Sequence, residues 1–168
     1  MESCKCIEFK IPARLHKGER QVDNCFDGSE LLYRRFTPFD TNGMSQINPD
    51  GSVCASVFTT RSMSCNRGKY SDDPEDVLLN GKDGGHYHDQ CIVSFPVEKV
   101  KEFTEPHPND SSVIFTFTLQ HVPEECMYPH MEIIVDKSGV QVKEMKKPDI
   151  VKFIMKTHFT KIAKVVKR

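Results

Sequence analysis

The sequence predicts a single α+β domain over residues 1–168, in which strands dominate and the sheet is mostly antiparallel. The predicted helices are short, except for an amphipathic helix at the C-terminus. Three observations predict this class. Apolar and polar residues alternate in several short runs, which is the period of a strand with one buried face. Few helices separate these runs, which favours antiparallel pairing in one α+β domain. A helical period is clear only near the end of the chain.

The composition is that of a globular protein. A hydrophobic content of 38% with 28% charged residues excludes an intrinsically disordered chain. No apolar run approaches the roughly 20 residues of a membrane helix, and no signal peptide is visible, so we expect a cytoplasmic protein. The seven cysteines are odd in number and irregularly spaced, so we expect mostly buried or neutral thiols.

Alternating runs give the predicted strands. The first run, CKCIEFKIP, alternates Ile7, Phe9 and Ile11 with polar residues. The clearest run, SVIFTFTLQHV, is β-branched and aromatic, with Thr116 and Thr118 on the alternate face. The predicted strands are residues 4–12, 31–36, 52–60, 91–95, 112–122, 131–136 and 140–145.

Helices are predicted in three places. In SDDPEDVLL, Asp72 or Asp73 can cap a helix, and Pro74 suits its first position. PVEKVKEF is predicted as one or two helical turns, and residues 148–168 as a longer amphipathic helix. The apolar stripe of that last helix consists of Ile150, Phe153, Ile154, Ile162, Val165 and Val166.

The charges are unevenly distributed along the chain. From Lys143 onward, nine Lys and Arg residues face two acids, which gives +7, whereas the remainder has 14 basic and 22 acidic residues, which gives −8. A basic C-terminal segment on an acidic body suggests a nucleic-acid or acidic protein partner, or an intramolecular charge pair. A solvated basic helix face is the alternative.

Several signatures of known catalytic and metal sites are missing from the sequence. It has no phosphate-binding Gly-rich loop, GxSxG elbow, HExxH motif or paired CxxC, which counts against the corresponding enzyme and zinc-ribbon classes. Histidines and cysteines do cluster twice, but at spacings that match no familiar zinc finger, so we predict no metal site. The clusters are His86, His88 and Cys91, and then His121, Cys126 and His130.

A dense polar constellation occupies the stretch from Thr59 to Leu79. Two guanidinium groups beside hydroxyls and an amide can clamp a phosphate or a carboxylate, which predicts an anion-binding turn. Its residues are Arg61, Ser62, Ser64, Asn66, Arg67 and Tyr70. The alternative is an internal network in which the two arginines pair with Asp72, Asp73 or Glu75.

Two adjacent arginines lie on an apolar predicted strand, LLYRRF. Alternation places Arg34 and Arg35 on opposite faces, so one of them points inward or into a cleft. An inward arginine needs an anionic partner, which Glu132 or a bound phosphate would supply.

Three patches of the sequence resemble the Arg / Ser-Thr-Ser / Glu pattern of ADP-ribosyltransferases. They are Tyr33-Arg34, the run Phe58-Thr59-Thr60-Arg61-Ser62, and the run from Tyr128 to Val135. The resemblance implies that Arg34 holds a phosphate or ribose of the dinucleotide, that Thr60 or Ser62 supports the nicotinamide pocket, and that Glu132 stabilises an oxocarbenium-like transition state. The Ser-Thr-Ser triplet is not intact, and His130 stands where many members have a second acid or Gln. The runs LYRRF, MSCNRGKYSDDPEDVLL and HVPEECMYPHMEI are also similar to small uncharacterised bacterial proteins, which implies no mechanism.

Two functional classes follow from these features. The first is an enzyme acting on a nucleotide-like substrate, in which arginines and serines bind the anion and Glu132 or His130 does the chemistry. The second is a non-catalytic subunit of a larger bacterial assembly, which binds nucleic acid or protein through its basic C-terminal helix. The sequence identifies no cofactor.

Overall fold

An antiparallel sheet forms the centre of the fold. The structure, a computed structural model, describes residues 4–60, 62–80, 83–141 and 149–168. Within them the sheet has eight strands, in the order β4-β5-β6-β2-β1-β3-β8, with β7 paired to β6. The strands are β1 Leu31–Phe36, β2 Ser62–Arg67, β3 Cys91–Pro96, β4 Glu105–His107, β5 Asp110–His121, β6 His130–Lys137, β7 Val140–Gln141 and β8 Lys164–Lys167. All these pairings are antiparallel, which confirms the predicted fold class.

Strands β5 and β6 form a long regular ladder of the sheet. Phe115 and Phe117 of β5 and Ile133 of β6 are buried in the main hydrophobic core. Because side chains alternate between the two faces of a strand, the residues between these lie on the outer face. On β6 that outer face carries His130 and Glu132.

Among the described residues, three α-helices pack around this sheet. They are α1 Cys4–Glu8, α2 Val97–Lys101 and α3 Asp149–Ile162. Helix α3 covers the core with residues that include Ile154, Met155 and Phe159, all buried. The ring of Phe159 lies 5.9 Å from that of Phe58 and 5.0 Å from that of Phe95, centroid to centroid. The C-terminal helix is therefore part of the core.

The two predicted short helices form where the sequence places them. Helix α2 confirms the first, and a 3₁₀ helix, Pro74–Leu78, confirms the other. Asp73 caps the 3₁₀ helix by accepting a hydrogen bond from the amide of Glu75, at 2.8 Å. Pro74 occupies the first helical position, where its missing N–H costs nothing.

Two of the predicted strands are wrong. Residues 4–12 begin with helix α1, in which Ile7 is 59% exposed and Cys6 is fully buried, the reverse of the predicted alternation. Residues 52–60 contain a 3₁₀ helix, Ala55–Phe58. Val53 and Phe58 both enter the main core, and an odd spacing cannot place two residues on one face of a strand. The strand begins only at Ser62, so most of the predicted anion-binding turn is β2.

The predicted C-terminal helix is too long. Helix α3 ends at Ile162, and the chain continues into β8, which pairs with β3. The β-branched pair Val165 and Val166 suits this edge strand better than a last helical turn. Phe153, placed in the apolar stripe by the sequence, is 59% exposed. The last part of predicted strand 140–145 and the first residue of the predicted helix lie outside the described residues.

One pair of cysteines departs from the expectation of thiols. Cys6 and Cys126 form a disulfide across 120 residues of sequence. Both are buried in a small hydrophobic cluster that is separate from the main core and also contains Leu15. A separation of this length leaves no local signal in the sequence. Cys65 and Cys91 are buried thiols, as expected.

Within the described ranges, every helix falls short of the length and apolar character needed to cross a membrane.

Candidate functional site

The sheet opens between its two central strands. Strand β1 pairs with β3 along its whole length, but with β2 only at Leu32–Arg67 and Tyr33–Asn66. Beyond Tyr33 the ladder stops, and a cavity of about 480 Å³ lies between the two strands. Its walls include Arg34 from β1 and Ser64 from β2.

The wall of this cavity is mostly polar and comes from distant parts of the chain. From the strands it includes Arg34, Arg35, Phe36, Ser64, Cys65, Asn66 and His130. From the connecting segments it includes Thr37, Gln46, Ser56, Val57, Val77, Leu79, Asn80, Gln90, Glu124 and Met127. Two guanidinium groups, an imidazole and several amides thus converge on one space.

Arg34 is the most unusual group in the wall. Its Nη1 donates to the carbonyl oxygen of Ser64 across the gap, at 3.1 Å, whereas its Nε is buried without a hydrogen-bond partner. Among the described residues, no carboxylate forms an ion pair with it. Burial lowers the pKa of Arg34, and the adjacent Arg35 lowers it too. Among the described residues, the site therefore holds a half-buried cation that has no carboxylate in ion-pair contact.

Arg35 has a different environment. Its Nη1 donates to the carbonyl oxygens of Val77 and Leu79, at 2.9 and 3.4 Å, and its guanidinium lies 4.1 Å from the ring centroid of Tyr87. Burial lowers the pKa of Arg35 as well. Arg35 holds the end of the 3₁₀ helix against the sheet while it contributes positive charge to the cavity. The two arginines point to opposite faces, as the alternation of LLYRRF predicts.

His130 lines the cavity in a defined tautomer. Its Nδ1 lies 2.8 Å from the carbonyl oxygen of Val122 and 3.8 Å from Oε1 of Glu124. A carbonyl oxygen can only accept, so Nδ1 carries the proton and Nε2 of the neutral ring is a proton acceptor. This arrangement suits a general base.

The outer faces of β2 and β6 bring predicted site residues together. Ser64 pairs in register with Glu132, and Asn66 with His130. Ser64 and Asn66 line the cavity, and Nδ2 of Asn66 is 3.3 Å from Sδ of Met127. Glu132 is therefore the cross-strand neighbour of Ser64, beside the cavity wall. Four of the predicted site residues are therefore neighbours.

Arg67 and Tyr70 lie outside the cavity wall, in an internal hydrogen-bond network. Arg67 is fully buried; its Nε and Nη2 bind the carboxylate of Glu30 at 2.9 and 2.8 Å. Its Nη1 lies 3.4 Å from the carboxylate of Asp23, which also accepts a hydrogen bond from the hydroxyl of Tyr70. The guanidinium lies 4.0 Å from the ring centroid of Phe26. An internal network therefore accounts for Arg67, with other acids than the sequence suggested.

The remaining residues of the predicted turn are also accounted for. Ser62 is half-buried, pairs with Ile134, and accepts a hydrogen bond from the Thr60 hydroxyl through its carbonyl oxygen. Asp72 forms an ion pair with Arg14 at 3.3 Å. Arg61 lies outside the described residues.

The histidine and cysteine clusters are dispersed in the fold. The rings of His86 and His88 stack on each other, 5.5 Å apart, while Cys126 is held in the disulfide. His121 is buried; its Nδ1 accepts from the amide of Asp23, and its Nε2 donates to the carbonyl of Tyr128. Within the part of the chain that the structure describes, no group of three or more metal-ligating residues occurs.

Several residues of the cavity could not be identified from the sequence. Gln46, Ser56 and Gln90 lie in connecting segments, and nothing in their spacing relates them to β1 or β2. Cys65 lines the cavity as well, but burial raises the pKa of its thiol to about 12, so it stays protonated at neutral pH. The nucleophilic form of this cysteine is absent at neutral pH.

Neither a family model, nor a characterised protein, nor a solved structure matches this chain.

Proposed function

We propose that the protein binds a small phosphate- or carboxylate-bearing ligand in the cavity between β1 and β2. The observation that carries this proposal is the buried Nε of Arg34, which lacks a hydrogen-bond partner. Burying a charge without a counter-charge costs several kcal/mol, so such a group usually has a role that offsets the cost. A bound anion would supply both the missing charge and the missing acceptor.

The cavity suits a ligand of nucleotide size. Its volume of about 480 Å³ falls within the range of roughly 300–1,000 Å³ that small-molecule sites occupy. Arg34 is held in place by Ser64, so its Nε and remaining N–H groups present a fixed fork to an oxyanion. The amide of Gln90 lines the cavity and can offer a neutral hydrogen bond for the rest of the ligand.

Titration calorimetry with adenosine monophosphate and with inorganic phosphate tests this proposal. Arg34→Gln removes the charge, and a charge-assisted hydrogen bond contributes about 1.5–3 kcal/mol, so we expect Kd to rise at least tenfold. Arg168→Gln, at an exposed position outside the cavity, is the matched control and keeps the wild-type Kd. Equal binding by wild type and Arg34→Gln would refute the assignment.

The sequence resemblance favours ADP-ribosyl transfer as the reaction. Of the residues that carry the resemblance, Arg34, Ser62 and Glu132 lie on β1, β2 and β6, which are neighbours in the sheet. In the family, the arginine holds the phosphate or ribose of the dinucleotide and the glutamate stabilises an oxocarbenium-like transition state. His130, beside Glu132 on the same face, would accept a proton from the attacking group.

Release of nicotinamide from nicotinamide adenine dinucleotide, followed by chromatography, tests the reaction. We expect Glu132→Gln to lower kcat at least a hundredfold with little change in KM, because the charge acts in the transition state. Glu8→Gln, on the exposed side of α1, serves as the control. No release by the wild-type protein would refute this reaction and leave anion binding as the function.

The basic C-terminal segment supports a second function, binding of nucleic acid or an acidic protein. The apolar stripe of α3 is used by the core, but Lys156, Lys161 and Lys164 remain exposed. Phosphate-dominated binding weakens steeply with salt. The test is to measure the affinity for a labelled oligonucleotide at about 50 and about 200 mM salt, the range over which such binding collapses. An affinity that does not change over this range would exclude phosphate-dominated nucleic-acid binding.

We also propose a cytoplasmic location. The exposed Cys25 and half-buried Cys54 are free thiols, as is usual in a reducing compartment. Cytosolic disulfides tend to be redox-sensing, which directs attention to Cys6–Cys126. Alkylation of cysteines in intact cells, followed by mass spectrometry, would reveal whether these two are oxidised there; complete oxidation in all cells would contradict the location.

A further inference from the structure

We infer that the Cys6–Cys126 disulfide is a redox control of the cavity. Its reduction releases the segment of residues 122–130 from the N-terminal part of the chain and so opens one wall of the ligand site. This inference rests on the proposed function for its effect on binding, but the movement of the segment is measurable without a ligand.

The 122–130 segment forms one side of the cavity. It connects β5 to β6 and contributes Glu124, Met127 and His130 to the wall. Reciprocal backbone hydrogen bonds of 3.1 Å join Glu124 and Met127 in a tight turn, and Cys126 lies inside that turn. A displacement of Cys126 therefore moves two neighbours that face the cavity.

Hydrogen bonds, rather than the main core, hold this segment on the sheet side, and one of them joins Nε2 of His121 to the carbonyl oxygen of Tyr128 at 2.7 Å. The sulfur of Met127 accepts a hydrogen bond from Asn66, and the carbonyl oxygen of Pro129 accepts one from the amide of Arg67 at 2.9 Å. Met127 belongs to the small cluster around the disulfide rather than to the main core. The main core does not fix the turn directly.

On its other side, the segment depends on residues 4–17. The carbonyl of Glu125 accepts from the amide of Lys17, and the amide of Tyr128 donates to the carbonyl of Leu15, both at 2.7 Å. The disulfide is the covalent part of this attachment. Helix α1 has five residues, too short to persist without its attachment, because isolated helices below about 12–15 residues are marginal in water. Without the bond, the N-terminal part holds the segment only weakly.

The reaction is a thiol–disulfide exchange. A dithiol transfers two electrons and two protons, leaves thiols at Cys6 and Cys126, and becomes a disulfide itself. Both sulfurs are buried, so the exchange requires local opening of the small cluster. Cys6 lies in the wall of a second cavity, of about 910 Å³, next to His16 and Pro123, and this cavity is where a reductant approaches.

Hydrogen exchange with mass spectrometry, comparing oxidised protein with protein reduced by dithiothreitol, tests the inference. We expect amides of residues 122–130 to exchange at least tenfold faster after reduction, whereas those of β3 are unchanged. We expect Kd for adenosine monophosphate to rise at least fivefold. Cys126→Ala should reproduce both effects without reductant, and Cys25→Ser, which removes an exposed free thiol, should reproduce neither.

Three results would overturn the inference. Unchanged exchange in residues 122–130 after reduction would remove the movement. Faster exchange in every strand would mean that the disulfide stabilises the whole fold and is not a local control. Faster exchange with an unchanged Kd would separate the movement from binding. Residues 122–130 could also open on reduction in a protein that binds no anion, whether oxidised or reduced. That result would refute the proposed function but not the release of the segment.

Discussion

The buried Arg67 and the half-buried Arg34 illustrate how the neighbours of a residue determine its role. The guanidinium of Arg67 is bound by Glu30, two backbone carbonyls and the face of Phe26, so its charge is compensated within the protein. Arg34 donates a hydrogen bond to a neutral carbonyl, and its buried Nε has no acceptor. The first arginine stabilises the fold, whereas the second has no such compensation, as expected of a residue kept for the binding that we propose.

Replacing each arginine by methionine should separate these roles. We expect Arg67→Met to lower the free energy of unfolding by about 3–5 kcal/mol, because it leaves the Glu30 carboxylate buried and uncompensated. We expect Arg34→Met to leave it unchanged or to raise it by about 1 kcal/mol, because a buried unpaired charge is removed. Urea unfolding of the three proteins measures both effects. A large loss of stability in Arg34→Met would show that the fold depends on this arginine.

His121 makes stability depend on pH. Burial lowers the pKa of its imidazole, and the neutral ring accepts a hydrogen bond from the amide of Asp23 that protonation would break. The unfolded chain takes up the proton near the ordinary pKa of about 6.5, but the folded chain resists it. The contribution of His121 to stability is therefore complete above about pH 6.5 and decreases as the pH falls below it. Burial lowers the pKa of His158 too, so it acts in the same direction.

We accordingly expect the free energy of unfolding to decrease between about pH 7.5 and pH 5, with a smaller slope in His121→Gln. Urea titrations across this range measure the slope. His86→Gln, at an exposed position, serves as the control and keeps the wild-type slope. An identical slope in His121→Gln would mean that other groups cause the dependence.

At the scale of elements, helix α3 contains a matched pair of phenylalanines. Phe159 is fully buried between Phe58 and Phe95, whereas Phe153, on the same helix, is 59% exposed. The hydrophobic effect depends on the area removed from water, so the two side chains contribute very differently although their helical context is shared.

We expect Phe159→Ala to lower the free energy of unfolding by about 3–5 kcal/mol, since it leaves a cavity in the main core. Phe153→Ala should change it by less than about 0.5 kcal/mol. Thermal and urea unfolding measure both. Similar losses in the two variants would contradict the packing of α3 described above.

At the scale of the whole molecule, the sequence predicts what is local and misses what is not. Alternation predicts β1, β5 and β6 and places Arg34 and Arg35 on opposite faces, because the period of a strand can be recognised from neighbouring residues. It fails at residues 4–12, where a disulfide partner 120 residues away determines what is buried. The cavity is invisible for a similar reason, because it arises where the β1–β2 ladder stops after two pairs. The acidic partner of Arg67 is not among those that the sequence suggests, because Glu30 belongs to a distant segment.

The position of β8 near the C-terminal end of the sequence determines when the sheet can be completed during synthesis. Strand β3 is paired on one side by β1 and on the other only by β8, whose residues are the last of the sheet to be made. Helix α3, which brings Phe159 into the core, is also made late. A ribosome that has translated everything up to α3 therefore holds a chain with one side of β3 bare and its core unfilled. Such a nascent chain exposes apolar surface to other unfinished chains and to chaperones until α3 and β8 have emerged.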